Sequence, residues 1–481
     1  MDNRLKKPEP CVKGTPLSSG LDPTRARHLV VVFAVTLAVI TYIDRVCISQ
    51  AAPAIRSTLG FGPKEMGWVF SSFTLAYALF EIPSGWMGDR FGPRSILMKV
   101  VILWSFFTAA TGWMWSLGSM IVCRFLFGAG EAGCFPNLTK IFTIWLPSAE
   151  RVRAQGILWL SARWGGAFTP VIVALALSLI GWRWSFGVFG LAGIMWAIWF
   201  FHWFRDSPKE HRSVNAAELA MLDGADKNAP GHAGMPWAAL LGSGTVWLLW
   251  LQYFCMSYGW YFYITWLPTY LREARGMALA EGAILAGLPL FFGGIGCFIG
   301  GWLTQLLSDV TGNVAQSRRG VAFAGLAGAA VMLFISTRME SPLYAVIALG
   351  LASMANDLAM ASGWGACMDV GGSHAGALSG SMNMMGNLGG AVGPVVVGYI
   401  LESGKKAVDA TPSPESWILA LLVAAAVYAV GAFSWLFIDP VTPLEERSRG
   451  RRLKSGLVFP SEPPSAELSE DKIRVKREPW P

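Results

Sequence analysis

LVVVFAVTLAVITYIDRVCIS, residues 29–49, runs apolar for long enough to cross a bilayer, then sets Asp44 beside Arg45. A hydrocarbon core roughly 30 Å thick needs about 20 apolar residues in helical form, and the same test finds twelve such windows, the last at 416–437. Within lipid every backbone N–H and C=O must be satisfied by a helix or a closed barrel. These runs lack the period-two alternation of barrel strands, so the fold is read as all-α, an integral membrane protein of twelve transmembrane helices. Composition agrees: 53% of the 481 residues are hydrophobic and only 14% charged, too apolar for a water-soluble enzyme.

Orientation follows from charge. Taking the termini and even-numbered loops as one side, 27 of the 38 lysines and arginines lie there and 8 on the other, which places both termini in the cytoplasm. The first 28 residues are polar and basic and carry no signal-peptide pattern. The net charge of +7 therefore reflects topology, and its scatter along short loops argues against nucleic-acid binding. Seven cysteines, an odd number, and five histidines without ligand spacing point to no disulfide framework or metal site. No cofactor is expected; the partners are the lipid bilayer and a small solute.

The longest polar interruption, 205–243, divides the chain into a cytoplasmic N-terminal tail (1–28), a six-helix bundle (29–204), the linker, a second six-helix bundle (244–437) and a cytoplasmic tail (438–481) read as disordered. The halves echo each other. GWMGDRFGPR (85–94) closes the second apolar run, and GGWLTQLLSD with SRRG (317–320) closes the eighth. Duplicated helical units of this kind enclose a site near the bilayer midplane. The enzyme reading is disfavoured, because no intramembrane His cluster, Ser/Lys nucleophile pair or metal motif appears.

Charged residues inside the spans carry the chemistry. Arg124 and Glu131 are seven apart, so on one helix they share a face, offset by roughly 20° and about 10 Å. An unpaired charge at the bilayer centre costs at least ~2.5 kcal/mol, so these groups should face a bundle interior or wet cavity and find partners, of which Asp44 and Arg45 on the first helix are the obvious candidates. Asp44 with Arg45 and Arg124 with Glu131 are then either structural pairs or a coupling device, in which fixed guanidiniums grip an anion and the acids exchange protons. Tyr42 lies on nearly the same helical face as Arg45, and Tyr77 is mid-helix; both suit polyol recognition. Gln252 on the seventh helix, Ser362 and Trp364 ending the tenth, and Asn383 and Asn387 on the eleventh offer neutral donors and acceptors, or serve as interhelical bonds.

Gly85-x-x-x-Asp89-Arg90-x-Gly92-x-Arg94 resembles the loop signature of the major facilitator superfamily, and Arg124-x-x-x-Gly128-x-Gly130-x-x-Gly133 its fourth-helix pattern. YIDR (42–45), RFLFGAGEAGCFPN (124–137), WLPSAER (145–151), WLPTYL (266–271) and GSMNMMGNLGGAVGP (380–394) are similar to its anion:cation symporter branch, which includes hexuronate, galactonate and glucarate transporters. The resemblance, spanning about 42–440, implies two pseudo-symmetric bundles, substrate carboxylate on Arg45, proton coupling through Asp44 and Glu131 beside Arg124, and a conformational latch at Gly85, Asp89, Arg90, Gly92 and Arg94.

Two positions depart from the branch. Arg163 stands where relatives often carry a neutral residue, and Glu81 where Gln is common. Either the two neutralise each other or Arg163 is a second anion clamp favouring a dicarboxylate. The expectation is a monomeric, proton-coupled symporter (sodium remaining an alternative coupling ion) for a small organic anion such as an aldonate, hexuronate or aldarate, in a plasma or bacterial inner membrane. An organophosphate:phosphate exchanger of the same fold is the alternative.

Overall fold

The computed structural model describes residues 22–222, 237–405 and 411–444; the first part of the N-terminal tail, the middle of the linker and most of the C-terminal tail lie outside them. The described residues are helical throughout, with no strand. The first half holds α1 (Ala26–Leu59), α2 (Pro63–Phe91), α3 (Pro93–Thr111), α4 (Leu117–Glu131), α5 (Cys134–Trp145) and α6 (Ser148–Trp203). Short helices α7 (Ala216–Leu222) and α8 (Trp237–Leu241) follow. The second half holds α9 (Gly244–Thr265), α10 (Leu267–Glu273), α11 (Leu279–Thr311), α12 (Val314–Ser336), α13 (Pro342–Gly371), α14 (Ala375–Ser403) and α15 (Pro414–Trp435).

Twelve crossings emerge once two breaks are read. α4 and α5 form one span interrupted at Ala132–Gly133. α6 folds back on itself at Gly181, whose φ of 73° and ψ of 167° favour a residue without Cβ, so one residue connects the fifth and sixth crossings. Side chains cap the starts of α4, α12 and α15: Ser116, Asn313 and Ser413 each accept from the backbone N–H three residues on, satisfying donors that a helix start leaves open. Length and hydropathy alone select nine spanning stretches among the described residues, one of them, Arg153–Trp203, long enough for two crossings. The two that fall short, α2 and α9, are diluted by Ser, Gly, Tyr and Trp. Both pack on α14.

The side where α1 begins and α15 ends is the tail face; the side of the α1–α2 turn is the far face. α1, α3 and α4 pack around α2 and α6, and α9, α12, α13 and α15 pack around α11 and α14. The halves meet along two seams, α2 on α14 and α6 on α11: the second crossing of each half rests on the fifth of the other. All four seam helices contain a proline, at 83, 170, 289 and 394, where the i→i−4 ladder loses a donor and can bend.

The seams are tightest toward the far face. A Cβ on Gly287 would fall 2.1 Å from the Ala167 carbonyl oxygen, and Cβ atoms on Gly67 and Gly398 would each fall 2.7 Å from the oxygens of Pro394 and Pro63. Arg56 on α1 pairs with Glu273 on α10, Lys64 lies over the Tyr399 ring (4.9 Å), and Phe70 meets Trp266 edge-on (5.3 Å). Between described residues, every ion pair and ring contact joining the halves lies at mid-depth or on the far face. These contacts close the far face.

Gly287→Leu is therefore expected to hold the far face apart. Overpacking costs about 1–3 kcal/mol, which lowers the ratio of sealed to open molecules by roughly 5- to 150-fold. The distance between spin labels at the exposed positions Ser57 and Arg272, one in each half, reports it, and an unchanged distance distribution would count against this account of the seal.

Near the tail face the linker is pinned to the first half. The fully buried Glu218 on α7 accepts from the Thr24 hydroxyl (2.5 Å) and from the backbone N–H (3.1 Å) and Nη1 (3.2 Å) of Arg27. His211 stands edge-on to Trp145 and tilted over Trp203; burial among these rings pushes its imidazole below the usual range.

Candidate substrate and coupling site

Neighbouring residues on a helix point about 100° apart, so Asp44 and Arg45 leave α1 in different directions. Arg45 reaches α4, where its Nε donates to Glu131 Oε1 at 2.9 Å and its Nη2 to the same oxygen. Asp44 turns to α3, where its Oδ2 accepts from Trp104 Nε1 at 3.1 Å. The two pairs that spacing offered, Asp44 with Arg45 and Arg124 with Glu131, do not form: the first is forbidden by the helical angle, and in the second Glu131 has turned to Arg45.

Glycine places this acid. α4 lies so close to α2 that a Cβ on Gly128 would fall 2.2 Å from the Phe73 carbonyl oxygen. That approach carries Glu131, at the end of α4, to α1. Around the pair, the Arg45 guanidinium lies 5.3 Å from the Tyr42 ring centroid, 5.1 Å from Phe73 and 5.0 Å from Tyr77. Arg124, 1% exposed, rests on Phe127 at 4.2 Å within the field of Asp44 and Glu131. Its Nε and Nη1, together with Asp44 Oδ1 and Glu131 Oε2, have no protein hydrogen-bond partner.

Two further charged groups cross the seam. Arg163 on α6 meets Asp357 on α13, with Nη2 3.2 Å from Oδ2 and 3.4 Å from Oδ1. Asn356 Nδ2 donates to Asp357 Oδ1 at 2.9 Å, and the guanidinium lies 4.7 Å from the Trp260 ring centroid. Glu81 on α2 accepts from the amides of Asn383 and Asn387 on α14, the latter at 3.4 Å. Tyr261 donates to Asn387 Oδ1 at 3.1 Å. Of the two alternatives for these positions, mutual neutralisation of Arg163 and Glu81 does not occur: α2 and α6 face different helices of the second half, so each group finds its own partner there.

The other candidates divide. Tyr42 and Tyr77 join the Arg45 cluster, and Asn383 and Asn387 join Glu81. Gln252, fully buried, reaches Met382 Sδ at 3.9 Å, and Ser362 bonds Thr304 at 3.2 Å; both bonds lie within the second half. Trp364 stands edge-on to Tyr253 at 5.8 Å. Asp357, Trp104, Trp260 and Tyr261 were not singled out in the sequence; Asp357 alone carried a signal, as an acid within the tenth apolar window.

At the proposed latch, Gly92 turns the chain from α2 into α3 with φ of 83°. The backbone N–H of Arg94 donates to Asp206 Oδ1 (2.8 Å) and its Nη2 to the Phe201 carbonyl (2.6 Å). Arg90 lies over the Trp86 and Phe91 rings, and Gly85 faces Pro136. The side chain of Asp89 lies outside the described residues. Arg319 repeats the theme in the second half, its Nε donating to the Ile438 carbonyl (2.6 Å). In this conformation these bonds stay within each half.

Comparison with known proteins matches this arrangement to one family. A probable sulfoacetate transporter, SauU, of Cupriavidus necator is 37% identical over 423 residues, covering 88% of this chain and 96% of the relative. A probable L-galactonate transporter of Escherichia coli is 31% identical, covering 83% and 86%, and a probable galactarate/D-glucarate transporter, GudP, of Bacillus subtilis is 30% identical, covering 79% and 87%. Among solved structures, a bacterial homologue of the human lysosomal transporter Spinster, inward-facing and unoccupied, superimposes with a TM-score of 0.69 at 20% identity, covering 86% of this chain and 98% of that one. The profile described as Major Facilitator Superfamily matches residues 34–394. With its paired six-helix halves, crossed seams and buried charges between them, this chain is a multi-pass membrane transporter and belongs to the Major Facilitator Superfamily.

Proposed function

We propose that the protein carries a small organic anion across the membrane together with protons, by alternating access. The observation that carries this reading is the Arg45–Glu131 pair: two donors of one guanidinium converge on one oxygen of one buried acid, walled by Tyr42, Phe73 and Tyr77. A substrate carboxylate would seek the same donors. Proton and substrate are then linked, because a proton on Glu131 frees Arg45 for the anion and the anion on Arg45 favours the protonated acid; such coupling is reciprocal. Asp44 and Arg124 lie behind the pair and set the charge it feels.

The excess of basic residues on the tail face supports cytoplasmic termini, which makes the far face external. With the ion pairs and ring contacts between described residues of the two halves gathered at mid-depth and on the far face, the conformation fits a carrier facing the cytoplasm. In the opposite state, the arginines of the latch would exchange bonds within their own half for contacts across the tail face. Relatives named for sulfoacetate, galactonate, galactarate or glucarate, and hexuronate share one chemistry: a small solute bearing at least one acid group.

Purified protein in liposomes with an inward proton gradient tests the reading. Labelled sulfoacetate, galactonate, glucarate or glucuronate is expected to accumulate, and a protonophore to abolish accumulation. Failure of all four counts against it, and phosphate counterflow needing no pH gradient identifies an organophosphate exchanger instead.

A further inference from the structure

Three features around Arg163 narrow the substrate, on the reading just given. Arg163 is 8% exposed, yet its ionic bond is only half made. A charge-assisted N–H···O bond spans about 2.7–2.9 Å, whereas Nη2 stands 3.2 and 3.4 Å from the two oxygens of Asp357. Nη1 has no protein acceptor at all. A guanidinium carries five donors in a planar fork, so Asp357 neutralises this one without saturating it.

Second, Arg163 and Arg45 flank a single aromatic wall. Trp260 lies under Arg163 and meets Tyr42 edge-on at 6.5 Å, and Tyr42 lies beside Arg45. The wall is close to α6: a Cβ on Gly166, three residues beyond Arg163, would fall 2.7 Å from the Tyr42 ring.

Third, the amides that would serve a polyol chain are occupied. Asn383 and Asn387 both donate to Glu81, a carboxylate of the protein itself, and Tyr261 completes the set.

We propose that Arg163 is a second anion clamp, and that the preferred substrate is an acid with two charged heads, one on Arg45 and the other on the unsatisfied edge of Arg163. A carboxylate or sulfonate at either end fits these donors. A six-carbon polyol monoacid does not, having one head for two cations and hydroxyls for amides already engaged.

Uptake into proteoliposomes separates the classes. Sulfoacetate and malonate represent short dianions, glycolate a short monoanion, galactarate a long dianion and galactonate a long monoanion. All three dianions are expected to show kcat/KM at least tenfold above galactonate and glycolate. Arg163→Gln alone strands the buried Asp357 and can fail to fold, so the decisive variant is Arg163→Gln with Asp357→Asn, which removes both charges. In it, the ratio of dianion to monoanion kcat/KM is expected to fall roughly 10- to 100-fold, the range of one lost charge-assisted contact, and mainly through KM. Galactonate uptake equal to that of the dianions, or an equal loss for all substrates in the double variant, overturns the proposal while leaving anion transport standing. Uptake of none of the five by the unmodified protein overturns both.

Discussion

Replacing Arg45 by lysine is expected to cut substrate uptake about 100-fold while the protein still folds. The guanidinium presents Nε and Nη2 together to one acceptor and lies beside three aromatic rings. An ammonium keeps the positive charge but loses the planar fork and its stacking. Losing one hydrogen bond to a charged group costs about 1.5–3 kcal/mol, and the upper end corresponds to roughly 100-fold. Folding is spared because lysine still balances Glu131, whereas alanine would leave that acid buried and alone at about 3–5 kcal/mol. Initial uptake rates in liposomes, set beside melting temperatures, separate the two effects. A lysine variant transporting within threefold of the parent would show that Arg45 does not hold the anion.

Glu131→Gln is expected to remove gradient-driven accumulation altogether and to leave exchange in place. The amide oxygen can still accept from Arg45, so the cluster keeps its shape, but no proton can be gained or lost there. Substrate should then equilibrate to an inside-to-outside ratio of about one under an inward proton gradient. Counterflow of labelled against unlabelled substrate should persist, since it needs no net proton movement. Accumulation surviving in this variant would move the coupling role elsewhere, with Asp44 next to be tested. Asp44→Asn serves as the comparison, because Asp44 is bonded to Trp104 on α3 rather than to Arg45.

The fold was legible because lipid imposes a coarse rule on sequence: twelve apolar windows, their division by a polar stretch and the repeated glycine-acid-arginine corner all survive a reading residue by residue. Details that depend on one backbone angle did not, such as the reversal at Gly181 or the break of α4 before α5. Membership of the site was half legible. Arg45, Arg124, Arg163 and Glu131 stand out because charge in hydrocarbon is costly. Their partnerships stand out only in part: the first helix is the expected partner of Arg124 and Glu131, and Arg45 does reach Glu131, but Arg163 meets Asp357 across 194 positions, a distance no periodicity spans. Asp44 and Arg45 mislead in the opposite way, being adjacent in sequence and divergent in space. Trp104, Trp260 and Tyr261 were hidden by numbers, as three among 33 tryptophans and tyrosines, 23 and 10 respectively.

The far-face seal has a further meaning for how the halves part. At Gly67, Gly287 and Gly398 main chain presses on main chain, so these contacts close without immobilising any side-chain rotor, and the conformational entropy lost on shutting falls on the few long side chains around them, Arg56, Glu273 and Lys64. The bare backbone sets how near the halves can come, and those three flexible residues bear the entropic cost of each meeting.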